Sequence, residues 1–151
     1  MCNAFGIVNY EGPNVNVKGM EDYRPVSAFS FLGRYRLIDF PISNMSNSGV
    51  NHIKVFVKTN PRSLIEHLGT GRHYNINSKR GKLHILPAKN MDDVDFYNND
   101  INSYMFNMQA IEDVNQPYVI LAPAHIIYRH DFSYLLDAHI ESGADITMLY
   151  Q

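Results

Sequence analysis

Short apolar runs that read as strands alternate along this chain with segments whose apolar residues recur every three or four positions. Parallel strands need long crossover connections, so alternation of this kind implies an α/β fold with a mostly parallel sheet covered on both faces. The runs 3–8 (NAFGIV), 52–57 (HIKVFV), 83–86 (LHIL), 118–122 (YVILA) and 144–150 (ADITMLY) are the expected strands. Helical spacing joins Leu37, Ile38, Phe40, Ile42 and Met45, and again Leu64, Ile65 and Leu68. It recurs at Ile101, Tyr104, Met105, Met108 and Ile111, expected as core positions, and at Phe132, Leu135, Leu136 and Ile140. Asn60, Asp100 and Asp131 are placed to cap these helices, with Pro61 at a first helical position and Gly49, Gly69 and Gly143 as stops. The polar stretches 9–23 and 89–99 read as loops.

In open parallel sheets ligands bind beyond the carboxyl ends of strands. The loops after Val8, Val57, Leu86 and Ala122 are therefore the places to look for function. One stretch upstream of them stands out, Gly33 to Gly49 (GRYRLIDFPISNMSNSG). Arg34 and Arg36 would leave an extended chain on the same side, just ahead of a helix start, where anions are favoured. The pair is either a phosphate grip or a surface pair beside a core helix. Asp39 falls on the apolar face of that helix and needs a partner.

Composition excludes several classes. A 151-residue chain that is 45% hydrophobic and 19% charged can bury one real core. A net charge of −2 makes no electrostatic case for nucleic acid or for an anionic membrane surface. The local basic run Lys79-Arg80-Gly81-Lys82 has no interleaved aromatics for base stacking. No apolar run approaches the ~20 residues that span a bilayer, and no signal-peptide pattern opens the chain. The single cysteine, Cys2, cannot form an internal disulfide, and a cytoplasmic location is expected. Catalytic motifs are missing too. There is no Gly-x-Ser-x-Gly elbow, His125 and His130 lack companion ligands, and Asp92-Asp93-x-Asp95 lacks the glycine and glutamate of a calcium loop.

The blocks GRYRLIDFPISNMSNSG, SLIEHLGTG, ILPA, YVILAPAHIIY and HIESGADIT follow one another as in the ADP-glucose pyrophosphorylases (glucose-1-phosphate adenylyltransferases) of bacterial glycogen synthesis. The chain resembles in particular the GlgD-type regulatory subunits of that family. The resemblance implies a Rossmann-like, GT-A type nucleotidyltransferase domain, a three-layer α/β/α sandwich. It also implies that residues 1–151 are only the N-terminal portion of that domain. The rest of it, and a C-terminal left-handed β-helix, would lie beyond. Active members make ADP-glucose and pyrophosphate from ATP and glucose 1-phosphate with Mg²⁺.

Against that family pattern the working parts are degraded. The phosphate-cradling glycine loop reads Asn9-Tyr10-Glu11-Gly12-Pro13-Asn14, where Pro13 has no N–H and Glu11 adds negative charge. The family's lysine falls on Val26. Ala124 stands where a Gly-Asp-His pattern would supply the metal-holding carboxylate, and alanine offers magnesium nothing. Asn99-Asp100-Ile101-Asn102-Ser103 replaces a substrate-holding Gly-Thr-Ala segment. No catalytic residue and no metal ligand is thus expected in this chain, with Mg²⁺ belonging to a catalytic partner.

Arg24 and Arg36 match positions that contact a sugar-phosphate effector in some members, although the neighbouring lysine and histidine fall on Tyr23 and Ser30. The competing role for Arg36 is an ion pair with Asp39 or another carboxylate. The expected partners are a catalytic ADP-glucose pyrophosphorylase subunit, in a hetero-oligomer, and a sugar-phosphate effector. The alternatives are an active adenylyltransferase and a sugar-phosphate or nucleotide-binding module.

Overall fold

The computed structural model describes residues 3–9, 19, 24–57, 61–69, 71–76, 81–87 and 100–150. Four parallel strands form its sheet in the order β5-β4-β1-β6: β1 (Ala4–Asn9), β4 (His52–Val57), β5 (Lys82–Pro87) and β6 (Tyr118–Pro123). A separate antiparallel hairpin joins β2 (Ser30–Phe31) to β3 (Tyr35–Arg36). The helices are α1 (Asp39–Asn47), α2 (Arg62–Leu68), α3 (Asp100–Phe106), α4 (Met108–Glu112) and α5 (Phe132–Ser142). Single 3₁₀ turns lie at Val26–Ala28 and Arg72–Tyr74.

Strand alternation divides the core in two. One face of the sheet sends Ala4, Val8, Ile53, Val55, Ile120 and Ala122 against Ile42 and Met45 of α1, Leu64 and Leu68 of α2, and Phe132 and Leu136 of α5. The other face sends Phe5, Ile7 and Phe56 against Tyr104, Ile111 and Val114 of the α3–α4 layer. This is the expected α/β sheet with helices on both faces. Gly6 lets α1 come close, because a Cβ built there would stand 2.4 Å from the Met45 sulfur.

Several element boundaries follow local chemistry. Asp131 caps α5 through its carboxylate, which accepts from the Ser133 N–H at 3.0 Å, and Gly143 ends the helix at φ 63°. Gly69 likewise ends α2. Pro61 precedes the first helical residue of α2 rather than occupying it, and Asn60 lies outside the described residues, as do 10–18, 20–23 and 89–99 of the two expected loops.

Three expectations are corrected. Residues 144–150 form no strand, and Ile146, Met148, Leu149 and Tyr150 stand exposed. A strand exists through its ladder, and among the described residues nothing pairs with this segment. The 101–111 helix is two helices broken at Asn107, with Tyr104 and Ile111 turned inward but Ile101, Met105 and Met108 exposed. Helical spacing marked an apolar stripe wider than the strip of sheet that covers it. Arg34 and Arg36 do not share a strand face, because Arg34 sits in the hairpin turn, where Leu32 and Gly33 both adopt positive φ.

Candidate functional site

The carboxyl ends of β1 and β6 lie side by side, Asn9 opposite Pro123, and the Ala124 N–H donates to the Asn9 carbonyl at 3.0 Å. Ala124 is 1% exposed, so its methyl group is part of the core. The Asn9 side chain makes two hydrogen bonds across this strand end. Its amide donates to Asp100 Oδ2 at 3.0 Å, and its carbonyl accepts from the Tyr104 hydroxyl at 2.6 Å. Burial raises the Asp100 carboxyl above its ordinary range, and the Asn9 hydrogen bond offsets that only in part. Burial also pushes the Tyr104 phenol up to about 12. Beside Ala124, the His125 Nδ1 is buried without a hydrogen-bond partner.

These residues do not fit the magnesium that the family resemblance implies for active members. Magnesium needs hard oxygen donors, and among the described residues the carboxylate at this strand end is Asp100, whose Oδ2 accepts from the Asn9 amide. Among the described residues no group of three or more His, Cys, Asp or Glu side chains could hold a metal ion. Val26 is buried in the core at its 3₁₀ turn, where a lysine would be out of place. Glu11 lies outside the described residues.

The two arginines are held separately. Arg24 is exposed ahead of the 3₁₀ turn. The Arg36 guanidinium donates through Nη1 to the Ser63 carbonyl of α2, and its backbone N–H donates to Asp39 Oδ2 at 2.8 Å. The ion pair considered for Arg36 and Asp39 is thus replaced by a main-chain bond and a carbonyl. Asp39 has its partners elsewhere: Oδ1 accepts from the Tyr74 hydroxyl at 2.6 Å and from His67 Nε2 at 2.7 Å. Burial first, and the bond to Asp39 second, hold the Tyr74 phenol well above its ordinary range. The need for a partner at Asp39 was legible in the sequence, whereas His67 and Tyr74 carried no local sign of the role. Asn9 and Tyr104 were missed altogether, since they meet only across the sheet.

The family model for nucleotidyl transferases matches residues 22–151. The chain belongs to the nucleotidyl transferase family. Among the relatives of this nucleotidyl transferase chain, the glycogen biosynthesis protein GlgD of Geobacillus stearothermophilus is 34% identical over 131 residues, 83% of the chain and 37% of the relative. GlgD of Bacillus subtilis is 27% identical over 146 residues, 97% of the chain and 43% of the relative. The glucose-1-phosphate adenylyltransferase of Clostridioides difficile is 34% identical over 122 residues, 80% of the chain and 32% of the relative. The chain therefore spans less than half the length of these relatives. No helix among the described residues is long and apolar enough to cross a membrane.

Proposed function

We propose that this chain is the N-terminal part of a catalytically deficient regulatory subunit of glucose-1-phosphate adenylyltransferase, which acts by assembling with a catalytic subunit. The observation that carries the reading is the strand end at Ala124. A buried methyl group stands where the family resemblance would put a metal-holding carboxylate, and the adjoining Asn9 side chain is bonded to Asp100 and Tyr104. Nucleotidyl transfer depends on positioning and on neutralising phosphate charge, so this strand end lacks what the step requires. The subunit would instead bias the active conformation of its partner through interface contacts. Arg24, exposed and uncommitted to α2, is the better placed of the two arginines to meet a sugar-phosphate effector, because Arg36 is engaged by Ser63. Magnesium would be bound by the catalytic partner.

Full-length protein, assayed alone and with a catalytic subunit for pyrophosphate release from ATP and glucose 1-phosphate, tests the proposal. The expected result is no turnover alone and an altered rate or effector response in the mixture. Robust turnover alone would overturn it in favour of an active adenylyltransferase, the reading that the equal identity to the C. difficile enzyme supports. No turnover and no effect on the partner, with saturable ligand binding, would point to a binding module instead.

A further inference from the structure

The β2–β3 hairpin is tied down at its base and exposed at its tip. Beneath its two ladder pairs, the Leu37 N–H donates to the Phe29 carbonyl at 3.2 Å and the Ile38 N–H to the Ser27 carbonyl at 3.1 Å. Arg36 adds a main-chain bond to Asp39 and a guanidinium bond to the Ser63 carbonyl of α2. A two-stranded hairpin this short is marginal by itself, so these tethers are what hold the turn at 32–34 in place. At that turn stands a residue the fold does not require. Leu32 is 81% exposed, and its backbone lies at φ 52°. A Cβ makes the left-handed region costly, whereas glycine enters it freely, as Gly33 does next door at φ 73°. Leu32 therefore carries backbone strain and also leaves an apolar side chain in water. Neither stabilises the chain, and strain kept in this way is a mark of functional positions.

The side chains around Leu32 are those that protein interfaces favour. Phe31 meets Phe40 edge-on with ring centroids 5.5 Å apart, and Tyr35 lies 6.3 Å from the same ring. The exposed Arg34 guanidinium sits over Tyr35, 6.0 Å from its centroid, and Tyr35 is itself 48% exposed. Aromatic residues and arginine are enriched at the buried centres of such interfaces. A guanidinium lying over a ring uses its face, which leaves the N–H donors along its edge for a planar acceptor such as a carboxylate. The tethered base also means that little ordering has to be paid for on contact.

We propose that the β2–β3 hairpin is the arm by which this chain engages a catalytic adenylyltransferase subunit, with Leu32 entering an apolar recess of that partner and Arg34 meeting a carboxylate at the rim. The inference rests on the regulatory-subunit reading and adds to it the surface through which assembly takes place.

Sedimentation velocity of the full-length protein, titrated with a catalytic glucose-1-phosphate adenylyltransferase subunit, tests this, with the thermal midpoint of each variant recorded alone. Leu32→Gly relieves the strain and removes the side chain together. Its midpoint should be unchanged or raised while its affinity for the catalytic subunit falls by about tenfold or more. Leu32→Asp, which keeps a Cβ at the same φ, should lose affinity at least as far. Arg34→Gln should weaken binding less and flatten its dependence on salt. Undiminished binding by both Leu32 variants would overturn the arm while leaving the regulatory-subunit reading intact. A wild-type protein that does not associate with the catalytic subunit would overturn that reading, and the arm with it. Two further results would also overturn the proposal. A lowered midpoint in Leu32→Gly would make Leu32 a residue of the fold, and Leu32 variants that lose only self-association would make the tip a contact between copies of this chain.

Discussion

His67 Nε2 donates to Asp39 Oδ1 at 2.7 Å, tying the last turn of α2 to the first residue of α1. The same oxygen accepts from Tyr74, and the other carboxylate oxygen accepts from the Arg36 N–H. Three segments thus converge on one buried carboxylate. Asp39→Ala should cost about 3 kcal/mol or more, because it strands donors that were paired inside the fold. Tyr74→Phe should cost about 1.5–3 kcal/mol, the range for a hydrogen bond to a charged group. Urea denaturation with an unchanged m-value checks both, and wild-type stability in the Asp39→Ala protein would remove the carboxylate from its central place.

Two aspartates should respond to pH with opposite sign. Hydrogen bonds from the Ser133 hydroxyl and N–H hold the Asp131 carboxyl below its ordinary 3.8. Its stabilising contribution is therefore complete above 3.8 and is lost as pH falls through the lower folded value. Asp131→Ala should lower the thermal midpoint at neutral pH and leave it unchanged in strong acid. Asp100 is raised instead, chiefly by burial, so its contribution is present in acid and lost as pH rises through the folded value. Asp100→Asn keeps an oxygen for the Asn9 amide, and should raise the midpoint at pH 7 while changing it little below pH 3.8. Parallel pH-dependent melts of the two variants suffice.

Ala124→Asp by itself should not restore catalysis. Ala124 is closed to solvent, so the new carboxylate would be buried at a cost. A loss of about 1–3 kcal/mol in stability is expected, with no gain in pyrophosphate release. Recovery of turnover from this single change would place the lost activity at one residue and contradict the broader degradation proposed above.

The edge of the sheet at β6 should make this chain self-associate. Val119 and Leu121 are 46% and 51% exposed on the outermost strand, and the apolar side chains of 146–150 stand in solvent. An open strand edge beside apolar surface is a template for pairing. Static light scattering should show mass rising with concentration, and Leu121→Lys should suppress the rise. A constant monomer mass across the series would refute the expectation.

What could be read in advance was whatever neighbouring residues decide among themselves. Asp131 and Gly143 bracket α5 because capping is local, and the parallel sheet followed from the alternation of periods. Residues 144–150 have the composition of a strand but lack a ladder, which no local pattern can supply. Ile101 and Met105 have core spacing yet face solvent, because burial needs an opposing surface. Asp39 declared its need for a partner, but the partners lie 28 and 35 residues away. Lys54 was hidden inside a run that reads as an ordinary strand, and only the fold shows that its side chain is buried. The Arg34–Arg36 pairing failed because a hairpin turn, and not a continuous strand, occupies Leu32 to Arg34.

The missing side chain at Gly6 reaches further than the first strand. A Cβ there would stand 2.4 Å from the Met45 sulfur on the buried face of α1, so the thioether would have to swing aside. A methyl group in the middle of the sheet is therefore met first by the flexible end of one side chain, and the fit between strand and helix at this point rests on how far that thioether can yield.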